Sequence, residues 1–138
     1  MKNNKMVAGL MFSHDNHSVA LIEKKRPPWQ RGKLNGIGGH IEKIETPHEA
    51  MVREFKEEAG AYVTVWRPFC ILNGTDWTVY WFTSNVPCDI SSTTDEKIGW
   101  YWVDDVLLGK YQCIQNLKWL IPLALDKDGV TGLMTDNS

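Results

Sequence analysis

Two early runs of this 138-residue chain, Met6 to Phe12 and Val19 to Glu23, are almost wholly apolar, and the pattern shifts to a helical period near residue 50. The two runs predict strands joined by the polar turn 13-SHDNH-17. Arg26 to Gly36 (RPPWQRGKLNG) carries Pro, Gly and Asn-Gly signals and predicts a loop that leads into a second glycine cluster, Gly38 and Gly39. Thr46-Pro47-His48-Glu49 is a helix start, with Thr46 as N-cap, Pro47 at the first helical position and Glu49 placed for a capping box. Gly60 is the matching stop. Between them Met51, Val52, Phe55 and Ala59 form an apolar stripe suited to docking on a sheet.

Further along, Tyr62 to Trp66, Thr78 to Thr83 and Trp100 to Val103 are rich in aromatic and β-branched residues and predict strands. Alternation puts Trp100 and Trp102 on one face with Tyr101 on the other, and Trp77, Val79 and Trp81 together. Most of the seven tryptophans are expected in the core. The polar stretch 84-SNVPCDISSTTDEKIG-99 predicts a long loop of the kind that is often functional. A second long helix is expected from Gln112 to Leu125, buried through Ile114, Leu117, Leu120 and Ile121, with Pro122 marking a kink or break. The tail after Asp126 is expected to fray.

Length fits one domain spanning residues 1–138 with a real core. Fifteen basic and seventeen acidic residues leave no broad electrostatic footprint for duplex nucleic acid or a membrane, so an anionic ligand has to be held locally. Cys70, Cys88 and Cys113 are odd in number and lack C-x-x-C spacing, which argues against a disulfide framework and a zinc ribbon and favours a reducing cytosol. With no secretory signal and no stretch long enough to span a bilayer, a soluble cytoplasmic protein is expected.

The chemistry concentrates in residues 39 to 60. Glu54, Glu57 and Glu58 sit at i, i+3 and i+4, where like charges on one helical face repel by roughly 0.2 to 0.5 kcal/mol per pair. The last two lie in the final turn, where backbone carbonyls already carry partial negative charge. A solvated helix face is the plain alternative, but a cation above these carboxylates is the stronger expectation.

From Gly39 the chain reads glycine, five residues, Glu45, seven residues, Arg53-Glu54-Phe55, one residue, Glu57-Glu58, one residue, Gly60. This resembles the Nudix box, the signature of hydrolases acting on nucleoside diphosphates linked to another group. Each fixed residue type has a background frequency below about one in ten, so the seven matches arise by chance roughly once in ten million placements. Ala61 replaces a branched aliphatic residue, Ile44 a common glycine and Ile37 a common proline, departures that touch the loop and not the acidic face.

The resemblance implies an α/β Nudix fold, a mixed β-sheet sandwiched between α-helices. It also implies Mg2+ or Mn2+ held by Glu54, Glu57 and Glu58, with the Gly39 carbonyl a further ligand. Hard divalent ions suit carboxylates and phosphate oxygens alike, offset charge on the phosphoryl group and lower the pKa of bound water. Glu54 or Glu57 is a candidate base. Glu96, in the polar loop, is another, since some members supply a glutamate from this region. Arg53 is expected to orient a carboxylate, Glu45 or Glu57, through a forked pair of hydrogen bonds. Glu45 has a second reading, as a carboxylate stabilised by the helix dipole alone.

Among Lys24, Lys25, Arg26, Arg31 and Lys33, one or two are expected to clamp phosphates, with Arg26 and Lys33 the chosen candidates and Gly38 beside them. Asn35 is placed to read a base edge or simply to make an Asn-Gly turn, and His40 and His48 are expected to be structural. Trp29, Trp77 or Trp102 is available to stack on a base. The implied activity is a MutT-type hydrolysis of a nucleoside triphosphate to monophosphate and pyrophosphate. ADP-ribose or a dinucleoside polyphosphate is the alternative substrate, and a non-catalytic nucleotide-sensing module the alternative class. The SQPWPFP-type run of NADH pyrophosphatases is absent after Gly60. Even charge weighs against RNA-end processing. Oligomeric state is open, a homodimer included.

Overall fold

The computed structural model describes residues 3–126 and, as backbone, 132–135. Its elements in chain order are β1 (Asn4–Phe12), β2 (Ser18–Glu23), β3 (Leu34–Asn35), β4 (Ile37–His40), α1 (Pro47–Ala59), β5 (Arg67–Asn73), β6 (Trp77–Ser84), β7 (Ile98–Trp102), α2 (Val103–Leu107), α3 (Leu117–Ala124) and β8 (Gly132–Thr135). The strands form one mixed sheet in the order β3-β2-β1-β6-β5-β8, with β4 added to β1 and β7 to β2. β1 runs parallel to β6 from Asn4↔Trp77 to Met11↔Ser84, leaving its other edge to β4 at residues 6–9 and β2 at residues 11–12. That division brings β4 and its glycines beside the helix that follows.

Helices cover both faces, giving an α/β/α sandwich. Val7, Met11, Ala20, Ile22, Ile37 and Phe82 pack under Met51, Phe55 and Ala59 of α1. On the other face Leu10, Phe12, Val19, Leu21 and Trp81 meet Val103 and Val106 of α2 and Leu117, Leu120 and Ile121 of α3. α1 begins and ends as its sequence dictates: Thr46 and Glu49 form a reciprocal capping box, and Gly60 takes φ +75° as its left-handed stop.

Several elements differ from the sequence reading. Tyr62 to Trp66 is not a strand: Val63 and Trp66 are buried, and the Trp66 indole donates to the Val63 carbonyl, closing a turn-like segment. The strand lies one step later, at β5, where Pro68 masks the pattern and the register shifts between Pro68 and Cys70. Arg26 to Gly36 contains a 3-10 turn, Pro28–Gln30, and the short strand β3. The second helix is only eight residues, Leu117–Ala124. It keeps Pro122 inside, and the four named apolar residues are all buried. Val103 opens α2 rather than closing a strand. Part of the expected frayed tail is β8, paired parallel to β5; residues 127–131 and 136–138 lie outside the described residues.

Trp66 and Trp81 are buried and Trp77 and Trp119 pack partly buried against the core, as expected of most of the tryptophans, while Trp29, Trp100 and Trp102 are exposed. The alternation in β7 is as expected, since Trp100 and Trp102 register with Ala20 and Ser18 while Tyr101 packs on the opposite core. Their exposure follows from position: among the described strands β7 pairs with β2 alone, so it is an edge that no helix needs to cover.

Candidate active site

β4 passes under α1 so closely that Gly39 lies against the carboxylate of Glu54. Gly38 is glycine for a different reason: a β-carbon there would fall 1.9 Å from the Val7 carbonyl of β1. Strand packing therefore explains Gly38 without any ligand.

Arg53 is the hub of this region. Its Nε and Nη2 donate to the two oxygens of Glu45 at 2.5 and 2.9 Å, the forked pair expected from the sequence. Nη1 donates to Glu54 at 2.8 Å and Glu57 at 3.1 Å, while Nη2 also donates to the His40 carbonyl at 3.0 Å. One guanidinium thus ties the loop before α1, the strand β4 and two of the three glutamates at positions 54, 57 and 58. The hydrogen bonds from Arg53 hold the Glu45 carboxyl below its usual range, and the same contacts raise the arginine's hold on its proton. Glu42, which the sequence reading passed over, adds a 3.5 Å ion pair.

Glu58 has no such partner. Its Oε2 is buried and finds no donor among the described residues. Burial first, then the Glu54 charge, pushes its carboxyl to about 7, against a smaller pull from Lys24. Burial also raises Glu54, opposed by Arg53. Glu57 remains exposed. Among the described residues no three acidic, His or Cys side chains already converge as a metal cage, since Glu54 and Glu57 turn toward Arg53. The donor set nonetheless fits a hard divalent cation: it consists of carboxylate oxygens, one of them buried and unpaired.

Across from the helix, Glu96 is almost fully buried and accepts from the Lys25 amide at 2.6 Å and the Lys24 ammonium at 3.3 Å. Burial works against its charge, but these donors outweigh it and its pKa is lowered. Asp95 holds Arg26 at 2.7 Å and lies 3.9 Å from Lys25. The Lys33 ammonium has no ion-pair partner among the described residues. Asn35 spends its side chain on Gln30 and on the Gly36 amide, which supports the turn rather than a base-reading role. His48 bonds the Thr64 carbonyl and is structural. Of the candidate stacking residues, Trp29 and Trp102 are exposed and Trp77 packs against the core. The three cysteines are free, and no helix among the described residues is long and apolar enough to cross a membrane.

A family model described as NUDIX domain matches residues 3–117, so the chain belongs to the Nudix family, whose hydrolases act on nucleotide-linked substrates. No curated protein matches. Among solved structures, a MutT from work on the fish pathogen Aliivibrio salmonicida and on Vibrio cholerae superposes with TM-score 0.77 at 23% identity, covering 89% of this chain and 98% of that one. A NUDIX hydrolase from Nitrosomonas europaea gives TM-score 0.82 at 16% identity over 100% of this chain and 81% of that one. The NUDIX domain of Shewanella oneidensis NrtR, complexed with ADP ribose, gives 0.77 at 17% over 90% and 87%. At these identities the likeness establishes the fold.

Proposed function

We propose that this chain is a divalent-cation-dependent pyrophosphohydrolase that converts a nucleoside triphosphate to a monophosphate and pyrophosphate. The observation that carries the reading is the buried, unpartnered Glu58 oxygen beside Glu54, on the helix of a complete Nudix box. An acceptor without a donor is costly inside a protein, and a cation is what relieves it.

In this reading Glu54, Glu57, Glu58 and the Gly39 carbonyl hold Mg2+, with Mn2+ as a substitute. When bound, such an ion offsets charge on the phosphoryl oxygens and lowers the pKa of water. Arg53 sets the directions of Glu54 and Glu57 and keeps Glu45 in place as its counter-charge. Arg26 and Lys33 meet the outer phosphates. Glu54 or Glu57 takes the proton from the attacking water; Glu96, whose oxygens are already occupied by Lys24 and the Lys25 amide, serves to hold the cationic end of β2.

One argument favours a triphosphate: the cluster of cations in residues 24–33. ADP-ribose is the second reading, favoured by the ligand in the structurally similar NrtR domain. A panel of about twenty nucleoside polyphosphates with Mg2+ tests both. Pyrophosphate plus monophosphate from a triphosphate supports the first, two monophosphates from ADP-ribose the second. Binding without turnover under Mg2+ and Mn2+ would point to a sensing module.

A further inference from the structure

Every helix leaves its last four carbonyls without intrahelical donors. In α1 these belong to Lys56, Glu57, Glu58 and Ala59, and only the first is met locally, by the Gly60 amide. The other three are met from a distant part of the chain. The Ser91 amide donates to the Ala59 carbonyl at 2.9 Å and the Thr93 amide to the Glu58 carbonyl at 3.2 Å. The Thr93 hydroxyl donates to the Glu57 carbonyl.

The same loop is fastened at its other end to the cations that follow β2. Two residues past Thr93, Asp95 binds Arg26, and Glu96 binds Lys24 and the Lys25 amide. Ser92 and Lys97 complete the attachment through the Ile98 and Glu23 amides. Residues 91–96 therefore form a strap from the turn carrying Glu57 and Glu58 to the basic stretch 24–26. Among the described residues only Thr93 contributes two donors to the helix end, one to the Glu58 carbonyl and one to the Glu57 carbonyl.

We propose that Thr93 is a positioning residue for the Nudix reaction, fixing Glu57 and Glu58 for cation binding by clamping their carbonyls. Two physical effects act together. The clamp removes a torsional freedom that both side chains would otherwise have at a fraying helix end. It also offsets the partial negative charge of the carbonyls beside the two carboxylates, which favours holding those charges together. The proposal rests on the cation-dependent reading above.

The test is direct Mn2+ binding to the cation-free protein, followed by electron paramagnetic resonance of the free ion, together with the Mg2+ concentration for half-maximal turnover. Thr93→Val keeps the shape and removes the hydroxyl, and is expected to weaken Mn2+ binding and raise the Mg2+ requirement about three- to tenfold, the factor one net hydrogen bond supplies. At saturating Mg2+, kcat is expected to stay within about twofold of wild type. Thr93→Ser restores the hydroxyl and should bind Mn2+ as wild type does. Thr93→Ala, smaller than either, gives the same loss as valine and covers the case in which valine is not accommodated. If the variants melt earlier but bind Mn2+ as tightly as wild type, the loop is only structural and the proposal is wrong. Wild type that binds no Mn2+ at all would instead bring down the cation-dependent reading itself.

Discussion

A β-carbon added at Gly39 would stand 2.6 Å from the carboxyl carbon of Glu54, inside the closest approach real side chains make. The contact joins β4 to α1 at the centre of the acidic face. Gly39→Ala therefore forces either the strand or the carboxylate to move, and kcat/KM is expected to fall at least about 100-fold, the scale on which ångström displacements act at reacting centres. Gly109→Ala makes the comparison: a β-carbon there would meet open space, and Gly109 has φ +79°. That variant should lose about 1 kcal/mol of stability and no activity. Wild-type kinetics in Gly39→Ala would remove this glycine from the site.

Arg53→Lys keeps the charge and loses the fork. A lysine ammonium cannot reach Glu45 with two parallel bonds and also serve Glu54, Glu57 and the His40 carbonyl. We expect kcat to drop by about 10- to 100-fold and unfolding free energy by about 1 to 3 kcal/mol, from breaking a charge-assisted network. Steady-state kinetics and urea titration measure the two effects separately.

Glu58 makes pH a probe of the site. Its carboxyl is raised from 4.5 to about 7, so between those values the folded protein keeps a proton that the unfolded chain has released. Its contribution to stability accordingly falls as pH rises through that window, and above about 7 the cation-free fold carries a half-buried charge. Compared with Glu58→Gln, the wild type should lose melting temperature between pH 5 and pH 8. Proton and cation compete for the same oxygens, so the Mg2+ needed for half-maximal turnover should rise about tenfold from pH 8 to pH 6. Added Mg2+ should raise the melting temperature at pH 8 for wild type and much less for Glu58→Gln.

Thr46→Ala separates stability from chemistry on the same helix. Thr46 accepts from the Glu49 amide at 3.1 Å at the end of α1 remote from Glu57 and Glu58. Its loss should cost about 1 kcal/mol and leave kcat/KM within about twofold. A large kinetic defect would mean that fraying at the helix start reaches the acidic turn.

The sequence by itself determined α1 and the placing of its acidic face, because everything that defines this segment is local. Thr46, Pro47 and Glu49 start the helix, Gly60 stops it, and the i, i+3, i+4 spacing of three glutamates puts them on one face whatever surrounds them. The first two strands were legible from short apolar runs bounded by a polar turn, and the buried side of α3 from the spacing of its apolar residues. Contacts between distant segments required the tertiary structure. Pro68 hid β5, whose strand state comes from pairing with β6, and the exposure of Trp100 and Trp102 follows from β7 lying at an edge. Glu58 became the unpaired carboxylate, and Glu96 the one bound by Lys24 and Lys25, because folding brought loop 84–97 across to the ends of α1 and β2. Which donors reach a charged group is set by how separate segments pack, and no spacing within one segment encodes it.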